Sequence, residues 1–239
     1  MTEADFLQGY DAGAFDRPSV TVDLVLIGLW GKRLGVLLGQ RTQHPHAGRW
    51  ALPGGFVGID EALDTAALRV LREKVGIANA HLEQLYTFGA VDRDPRSRII
   101  TVAYLALMNP AAFADARTHA PMLAPALIDM PRPAPFAGPV RTLTMAGENL
   151  PLAFDHRDIV AAAMQRLRGK LDYSDVGFAL LPDLFTLRQL QDVHEAILGE
   201  TVNKSAFRRR MLDKGWVVPT GTYETDTSYR PAELYRVQR

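Results

Sequence analysis

The sequence contains no cysteine, which excludes disulfide bonds, zinc sites built on thiolates and a cysteine nucleophile. It also lacks a membrane-spanning apolar run, because its longest apolar stretch, residues 99–108, is far shorter than the roughly 18 residues that a spanning helix needs. The first eighteen residues contain four acidic side chains and no long apolar core, so they do not resemble a signal peptide. We therefore expect a cytoplasmic protein without membrane attachment.

Charge is balanced over the whole chain but not along it. Lysine and arginine together number 27, as do aspartate and glutamate, yet residues 201–239 carry a net charge of +4 and the first 200 residues a net charge of −4. Such an asymmetry is expected when one end of a protein meets a polyanion. Because 239 residues exceed the usual single-domain size of roughly 100 to 200 residues, we expect two domains after an N-terminal arm at residues 1–17.

The first domain is predicted at residues 18–170. Apolar, β-branched runs bounded by turn residues predict its strands, and apolar residues at helical spacing predict its helices. Strands are expected at residues 20–29, 34–40, 82–91 and 99–108, and helices at residues 60–75 and 155–171. Gly76 stands where a C-terminal glycine ends the first helix, and Asp155 is the expected N-cap of the second. Residues 109–139, rich in proline and alanine, are predicted to form a loop.

The second domain is predicted at residues 171–239. A linker at residues 173–184 leads to a helix at 186–198, a turn at Gly199, a helix at 203–214 and a hairpin at 217–236. Thr186 and Gln189 form a capping box at the start of the first of these helices. Helix, turn, helix and hairpin in this order predict a winged helix-turn-helix domain.

The most specific motif lies in a glycine-rich loop and the helix after it. Gly55, Glu61, Arg69, Glu73 and Gly76 fit the frame G-x5-E-x7-R-E-U-x-E-E-x-G-U, in which U is aliphatic, without insertion. The segment resembles the box of Nudix proteins. The resemblance implies an α/β fold, an α/β/α sandwich around a mixed sheet. Enzymes of that family hydrolyse nucleoside diphosphates linked to a second moiety, using divalent cations that glutamates of this helix hold.

The sequence departs from the box at the positions that hold the cations. The three glutamates of R-E-U-x-E-E would lie on one side of a helix, and here those positions are Val70, Glu73 and Lys74. Glu73 and Glu61 could at best hold Mg²⁺ weakly. We therefore expect no catalytic residue, no required cofactor, and a site that binds a ligand without cleaving it. Two alternatives stay open: a bare scaffold in which Arg69 and Glu73 form a surface pair, and hydrolysis by a rearranged ligand set.

Four further segments, at residues 152–156, 185–191, 207–210 and 230–236, resemble the Nudix-related transcriptional regulators, the NrtR-like family. The resemblance implies a repressor of genes of NAD or sugar metabolism that responds to a nucleotide such as ADP-ribose. The effector is then expected against Arg41, Trp50, Phe56, Glu61, Glu73, Arg93 and Arg96. Double-stranded operator DNA is expected at Lys204, Ser205, Arg208, Arg209, Arg210, Thr220, Tyr223 and Arg230. A homodimer is expected, because such readers often pair two helices with half-sites about 34–36 Å apart.

The helix at residues 203–214 has the pattern of a DNA-reading helix. Phe207, Met211 and Leu212 are predicted to share its buried arc. Ser205, Arg209 and Arg210 are predicted to lie largely on the opposite arc. Arginine pairs with guanine or with phosphate in a major groove that admits a helix. The alternative is a solvated basic face without a partner.

Smaller candidates lie in the first domain. His44 and His46 could ligate a metal, but no third ligand is evident nearby. The three arginines of residues 92–98 are either phosphate contacts or solvated loop residues. His156 is expected to pack at the start of its helix rather than to transfer protons.

Two rival functions remain beside the regulator. One is an active pyrophosphatase of the ADP-ribose type with an accessory C-terminal domain, which Val70 and Lys74 disfavour. The other is a nucleotide-sensing adaptor whose small domain binds another protein. DNA binding whose affinity hardly depends on salt would favour this adaptor.

Overall fold

The computed structural model of the protein describes residues 2–77, 80, 82–130, 140–225 and 230–238. Among these residues, no helix has the length and apolar character to cross a membrane. The chain begins with helix α1 (Glu3–Gly9) and a 3₁₀ turn (Ala12–Ala14). Thr2 caps α1 by accepting a hydrogen bond from the backbone N–H of Asp5. This arm precedes the first strand of the main sheet.

The main sheet has strands from most of the first 143 residues. They are β1 (Ser19–Trp30), β2 (Arg33–Gln40), β3 (Trp50–Ala51), β4 (Gly54–Phe56), β5 (Glu83–Phe88), β6 (Ile99–Met108), β7 (Leu123–Asp129) and β8 (Arg141–Leu143). The order is β5-β6-β1-β2-β7-β8, with β3 beside β2 and β4 beside β1. β1 and β6 run parallel, from Ser19 opposite Ile99 to Gly28 opposite Met108, and the other pairs are antiparallel. The four predicted strands are confirmed.

Helices cover both faces of this sheet. Helices α2 (Leu63–Val70) and α3 (Pro110–His119) share one core with alternate residues of β1 such as Leu24. Helix α4 (His156–Lys170) shares the other core with Val25, because successive side chains of a strand point to opposite faces. Burial on both faces explains why β1 is apolar almost throughout. The predicted α/β/α sandwich with a mixed sheet is confirmed.

The helix of the Nudix-box motif has two parts. α2 continues at Leu71–Val75 as a π-helical turn, and Gly76 ends it with a φ of +76°. A Cβ atom at Gly76 would lie 2.7 Å from the Cβ of His119, so both the left-handed backbone and the close contact require glycine. The helix predicted at residues 60–75 is thus confirmed, although it starts at Leu63.

The loop predicted at residues 109–139 is wrong for much of its length. It contains α3 and β7, and β7 pairs with β2. Asn109 caps α3 by accepting a hydrogen bond from the N–H of Ala112 at 2.8 Å, and Pro110 occupies the first turn. Only Phe113 and Ala116 of this helix are buried, so its periodicity is faint. The N-cap residue Asn109 and the following Pro110 are the sequence features that indicate the start of α3. The remainder of that prediction, residues 131–139, falls outside the described residues.

A winged helix follows a 3₁₀ turn (Val176–Leu180) that lies in the predicted linker. It consists of α5 (Leu187–Leu198), α6 (Lys204–Asp213), β9 (Val217–Tyr223) and β10 (Glu233–Val237). Thr186 and Gln189 form the predicted capping box, and Gly199 ends α5 with a φ of +72°. The core on the α4 side of the sheet continues through Leu171 and Phe178 to Leu190 of α5. The domain boundary near residue 170 therefore crosses a continuous core and stays a prediction.

Candidate ligand pocket and nucleic-acid interface

A cavity of about 910 Å³ opens beside the end of α2, the loop around β4 and the start of α4. This volume is within the range of about 300–1,000 Å³ that is typical of sites for small molecules. The lining includes five of the seven predicted effector contacts, namely Arg41, Phe56, Glu73, Arg93 and Arg96. Trp50 and Glu61 are not among the lining residues. Trp50 instead accepts a hydrogen bond from Ala153 and anchors the segment before α4.

Arg69 occupies the centre of the acidic face of α2. Its guanidinium binds Glu61 through two hydrogen bonds, of 2.7 and 2.8 Å, and lies 3.4 Å from a carboxylate oxygen of Glu73. It also donates to the carbonyl oxygen of Phe56 at 2.9 Å. The bonds from Arg69, and next the N–H of Gly58, lower the pKa of Glu61 to about 2. Glu61 is thus an ionised structural partner of Arg69, and the surface pair of Arg69 and Glu73 that belonged to the scaffold alternative is present.

The three positions of the family's glutamate cluster now have different surroundings. Val70 has no exposed surface and packs in the core, where a Cβ on Gly55 would lie 3.0 Å from its Cγ2. Lys74 donates a hydrogen bond from its ammonium to the carbonyl oxygen of Gly54. Glu73 alone presents a carboxylate, with 58% of its side chain exposed. Among the described residues no group of three or more metal-ligating side chains occurs.

The cavity wall is rich in cations, and they differ in how they are paired. Arg93 and Arg96 are bound to carboxylates of Asp155 and Asp94, respectively, at 2.7 Å. No described carboxylate lies within ion-pair distance of Arg41 or Arg72, which also line the cavity. Together with the Lys74 ammonium, these two guanidinium groups suit a phosphate ligand, because guanidinium binds phosphate oxygens in a bidentate manner.

The three arginines of the turn at residues 92–98, for which the sequence left phosphate contact and loop solvation as alternatives, have different surroundings. Arg93 has only 4% of its side chain exposed and binds Asp155 and, at 3.7 Å, Asp23. Arg98 donates to two backbone carbonyls of its own turn at 2.8 and 2.9 Å. Asp155 occupies the N-cap position of α4 but makes no capping hydrogen bond, because its carboxylate is bound to Arg93. Arg96 and Arg98 are both exposed, and of these two Arg96 lines the cavity.

His156 packs at the start of α4, as expected. Its Nδ1 accepts a hydrogen bond from the backbone N–H of Leu52 at 2.9 Å, and its Nε2 lies 3.7 Å from Asp23. Burial lowers the pKa of His156, so the ring is neutral and carries its proton on Nε2, the nitrogen that faces Asp23. It has a structural role in the cavity wall.

Two lining residues that bear on ligand binding, Arg72 and Phe154, were not among the predicted effector contacts. Phe154 adopts a φ of +51°, a left-handed conformation that is uncommon for any residue but glycine. Its ring lies 4.8 Å from the guanidinium carbon of Arg41 and 5.8 Å from that of Arg96, centroid to carbon. The ring of His46 packs edge-on against the Phe154 ring, with 4.8 Å between centroids. His46 is one of the two histidines that were considered as metal ligands. No sequence motif signals such a conformation.

The basic helix α6 presents a second candidate surface. Phe207 and Met211 are buried, and Lys204, Ser205, Arg208, Arg209 and Arg210 are exposed. Leu212 is 45% exposed, so its assignment to the buried arc is wrong. Five residues separate it from Phe207, and at about 100° per residue it lies roughly 140° away around the helix.

The arginines of α6 differ in their partners. Arg210 lies 3.6 Å from Asp172 and over the ring of Phe207, and Arg208 interacts electrostatically with the hydroxyl of Tyr235. Arg209 has no partner among the described residues. On the hairpin, the hydroxyl of Thr220 donates to a backbone carbonyl at 2.8 Å, whereas Tyr223 and Arg230 are exposed. The exposed cations of α6 and the exposed hairpin residues form the surface that the sequence predicted to bind DNA, and their contacts with DNA stay a prediction.

Comparisons with known proteins identify both halves. Residues 18–120 match the model of the NUDIX domain, and residues 177–237 match that of the NrtR DNA-binding winged helix domain. The ADPR responsive transcriptional repressor NtrR of Acinetobacter baylyi is 39% identical over 241 residues, which cover 98% of this chain and 88% of that protein. These matches confirm the predicted order of a Nudix domain followed by a winged helix, and they favour the predicted regulator over the rival hydrolase.

Two solved structures of a Shewanella oneidensis protein are also similar. The crystal structure of its NrtR complexed with a 27mer DNA has a TM-score of 0.73 and 36% identity, covering 92% of this chain and 93% of that chain. The cocrystal structure of its NUDIX domain complexed with ADP ribose has a TM-score of 0.52 and 37% identity, covering 70% of this chain and 99% of that chain.

Proposed function

Because this chain belongs to the NrtR family, in which a Nudix domain is joined to a DNA-binding winged helix, we propose that it is a transcriptional repressor controlled by ADP-ribose or a related nucleotide. The effector binds in the cavity beside α2. The observation that carries this proposal is the cavity wall itself, which offers the guanidinium groups of Arg41 and Arg72 and the ammonium of Lys74 without a carboxylate partner among the described residues. Such a wall attracts a pyrophosphate.

The same site does not hydrolyse its ligand in this proposal. Hydrolysis in Nudix enzymes needs several carboxylates that converge on cations, whereas here Val70 is buried and Lys74 carries a positive charge. Of the two remaining glutamates, Glu61 is bound to Arg69. Mg²⁺ binds at best weakly to Glu73 and Glu61, and the protein requires no cofactor. A pocket without its metal cluster is suited to sensing.

The DNA-binding surface is α6 with the β9–β10 hairpin, and the working unit is a homodimer in the cytoplasm. Support comes from the exposed basic face of α6, from the +4 charge of residues 201–239 and from the DNA complex of the similar Shewanella protein. A dimer places two α6 helices against half-sites about one helical turn apart. The genes of NAD or sugar metabolism are the targets that we propose.

Helix α4 connects the two surfaces. Its first residue, His156, lines the cavity, and Arg168 near its end donates a hydrogen bond to the carbonyl oxygen of Ile197 in α5 at 2.9 Å. A second link is the ion pair of Lys32, in the turn after β1, with Asp192 of α5 at 3.6 Å. Effector binding lowers DNA affinity if the ligand prefers one arrangement of these contacts, and a coupling of about 1–3 kcal/mol changes the affinity roughly 5- to 150-fold.

The test is fluorescence anisotropy with labelled duplexes taken from upstream of the protein's own and neighbouring genes, with and without ADP-ribose. Cleavage of the nucleotide is assayed in the same solution with Mg²⁺. We expect tight binding that ADP-ribose weakens, without cleavage. Arg72→Ala should raise the ADP-ribose concentration that is needed, while Arg157→Ala, an exposed arginine of α4 outside the cavity, is the matched control.

Other outcomes point to the rival functions. Rapid cleavage without DNA binding would support the pyrophosphatase. DNA binding that hardly changes with salt would support the protein-binding adaptor, because a protein that neutralises phosphates loses affinity steeply as the salt concentration rises.

A further inference from the structure

Phe154 has an unfavourable backbone conformation that its neighbours maintain. A non-glycine residue in the left-handed region costs roughly 1–3 kcal/mol and persists only where the surrounding structure holds it. On one side, the N–H of Ala153 donates to the carbonyl oxygen of Trp50 at 2.7 Å. On the other side, Asp155 is bound through both carboxylate oxygens to Arg93. The chain is therefore fixed immediately before and after Phe154, at a position that lines the cavity.

This conformation places the Phe154 ring among planar groups. Arg96, whose guanidinium donates to both carboxylate oxygens of Asp94 at 3.0 and 2.7 Å, lies 5.8 Å from the ring centroids of both Phe154 and Phe56. Arg41 lies 4.8 Å from the Phe154 centroid. Such distances are typical of guanidinium groups stacked near aromatic rings. The same wall that holds these planar groups is open to the cavity.

The cavity thus has two chemically different parts. Arg72 and Lys74, at the end of α2, offer charge to a phosphate, whereas Phe154 offers an aromatic face beside the guanidinium groups of Arg41 and Arg96. A ligand that uses both parts carries a phosphate group and a flat ring. Bases stack on aromatic side chains whatever their hydrogen-bonding pattern, because every base has a π-face.

We propose that Phe154 is the residue that recognises the base of the nucleotide effector, and that it is the reason why the cavity distinguishes a nucleotide from a sugar phosphate. The inference rests on the proposed function and adds to it the residue that selects the ligand class. Its strained backbone keeps the ring in the cavity wall before the ligand arrives, so that little conformational freedom is lost on binding.

The test compares ADP-ribose with ribose 5-phosphate, which has no base, by titration calorimetry and, for weak binding, by ligand-induced shifts of the melting temperature at millimolar concentration. Wild-type protein should prefer ADP-ribose. Phe154→Leu should weaken ADP-ribose binding about tenfold or more, the size expected for the loss of one stacked base, and leave ribose 5-phosphate within about twofold. Phe154→Tyr should restore the preference. Phe15→Leu, at an exposed ring outside the cavity, should change neither affinity.

Each result is informative separately for the two proposals. If the wild-type protein does not bind ADP-ribose, the proposed function fails. If it binds ADP-ribose and Phe154→Leu keeps the full preference over ribose 5-phosphate, or weakens both ligands equally, the role of Phe154 is overturned and the proposed function stands. Because the readout is a ratio of affinities within one variant, a general loss of stability does not imitate the expected result.

Discussion

Arg93 and Asp155, 62 residues apart in the chain, form a two-bonded ion pair inside the protein. Nε of the arginine donates to one carboxylate oxygen at 2.8 Å and Nη2 to the other at 2.7 Å. The same guanidinium lies 3.7 Å from the carboxylate of Asp23 in β1. One arginine thus joins the turn after β5, the start of α4 and the centre of the sheet.

Replacing Arg93 by alanine should strongly destabilise the protein. The change leaves Asp155 and Asp23 with little solvent and no cation at their centre, and removal of one partner from a buried pair typically costs about 3–5 kcal/mol. Urea unfolding followed by circular dichroism measures the effect. Arg93→Lys keeps the charge but loses the paired hydrogen bonds, so its free energy of unfolding should lie between those of the wild-type protein and Arg93→Ala. Arg98→Ala, in the same turn with an exposed side chain that donates to two backbone carbonyls, is the control, and equal losses for Arg93→Ala and Arg98→Ala would contradict this account.

The pair also shows what the sequence reveals and what it hides. Strands such as β6 and the capped helix α5 were predicted, because apolar runs and capping boxes are local patterns. The partner of Arg93 was not predictable, because no pattern in a turn indicates a carboxylate 62 residues away. Asp155 has the residue type and the position of an N-cap, but its carboxylate is bound to the buried guanidinium of Arg93.

The candidate site was predicted in the same uneven way. The Nudix-box spacing located α2 and Glu73, since spacing on a helix determines which side chains share a face. It did not reveal Phe154, whose role follows from a backbone angle, or the π-helical turn that follows Val70. Helix α3 escaped notice because it buries only Phe113 and Ala116.

Changing Lys74 to glutamate should create a metal site where none is complete. The new carboxylate would replace an ammonium one position after Glu73, and Mg²⁺ or Mn²⁺ usually binds through one or two carboxylates and water. Titration calorimetry with Mn²⁺ should show binding in Lys74→Glu that the wild-type protein lacks at the same concentration. Lys74→Gln, which removes the charge without adding a ligand, is the matched control and should gain nothing. Similar binding by both variants would indicate that repulsion from the ammonium alone excludes the metal.

The corresponding change at the other altered position of the motif, Val70→Glu, should lower the stability of the fold, which the sequence alone does not indicate. Val70 is fully buried against the backbone of the β4 loop, so a glutamate there loses hydration without a partner. We expect Val70→Glu alone to lower the free energy of unfolding by several kcal/mol, as for other buried unpaired carboxylates. Thermal unfolding should show partial recovery when Lys74→Glu and Mn²⁺ are both present. Recovery by Mn²⁺ in the absence of Lys74→Glu would contradict the assigned geometry.

Arg209 should contribute more to DNA binding than its neighbours. Arg210 lies 3.6 Å from the carboxylate of Asp172, and Arg208 interacts electrostatically with the hydroxyl of Tyr235, while Arg209 has no partner among the described residues. Arg209→Ala should therefore weaken binding of an upstream duplex more than Arg210→Ala does. If the contact is with phosphate, the slope of log K against log salt should fall by about 0.9 for each contact, and so by about 1.8 for the proposed dimer, which contains two Arg209 side chains. If it is with a base, the loss should be about 1–3 kcal/mol on the preferred sequence only. An unchanged affinity in anisotropy titrations would remove Arg209 from the interface.

Acid should destabilise the winged helix through His194 of α5. Burial, followed by the nearby charge of Arg210, lowers the pKa of this imidazole from 6.5 to about 4, and its Nδ1 has no hydrogen-bond partner among the described residues. Lys214 acts in the same direction as Arg210, and Asp172 opposes them. Below pH 6.5 the imidazole of His194 is therefore protonated in the unfolded chain while it is still neutral in the folded protein. The contribution of His194 to the free energy of unfolding is fully present above pH 6.5 and is lost as the pH falls toward 4.

The loss expected from His194 alone is about 2 kcal/mol at pH 5 relative to pH 8, since each pKa unit corresponds to about 1.4 kcal/mol. Urea unfolding at both pH values measures it in the wild-type protein, in His194→Leu and in His119→Gln, which alters an exposed histidine of α3. His194→Leu should show a flatter dependence on pH than either of the others. Some dependence should remain, because burial also lowers the pKa of His156 in the cavity wall. If His194→Leu and the wild-type protein lose the same stability between pH 8 and pH 5, then His194 is already protonated in the folded state or is exposed in solution, and the packing of α5 against the ring of Phe207 differs from that described.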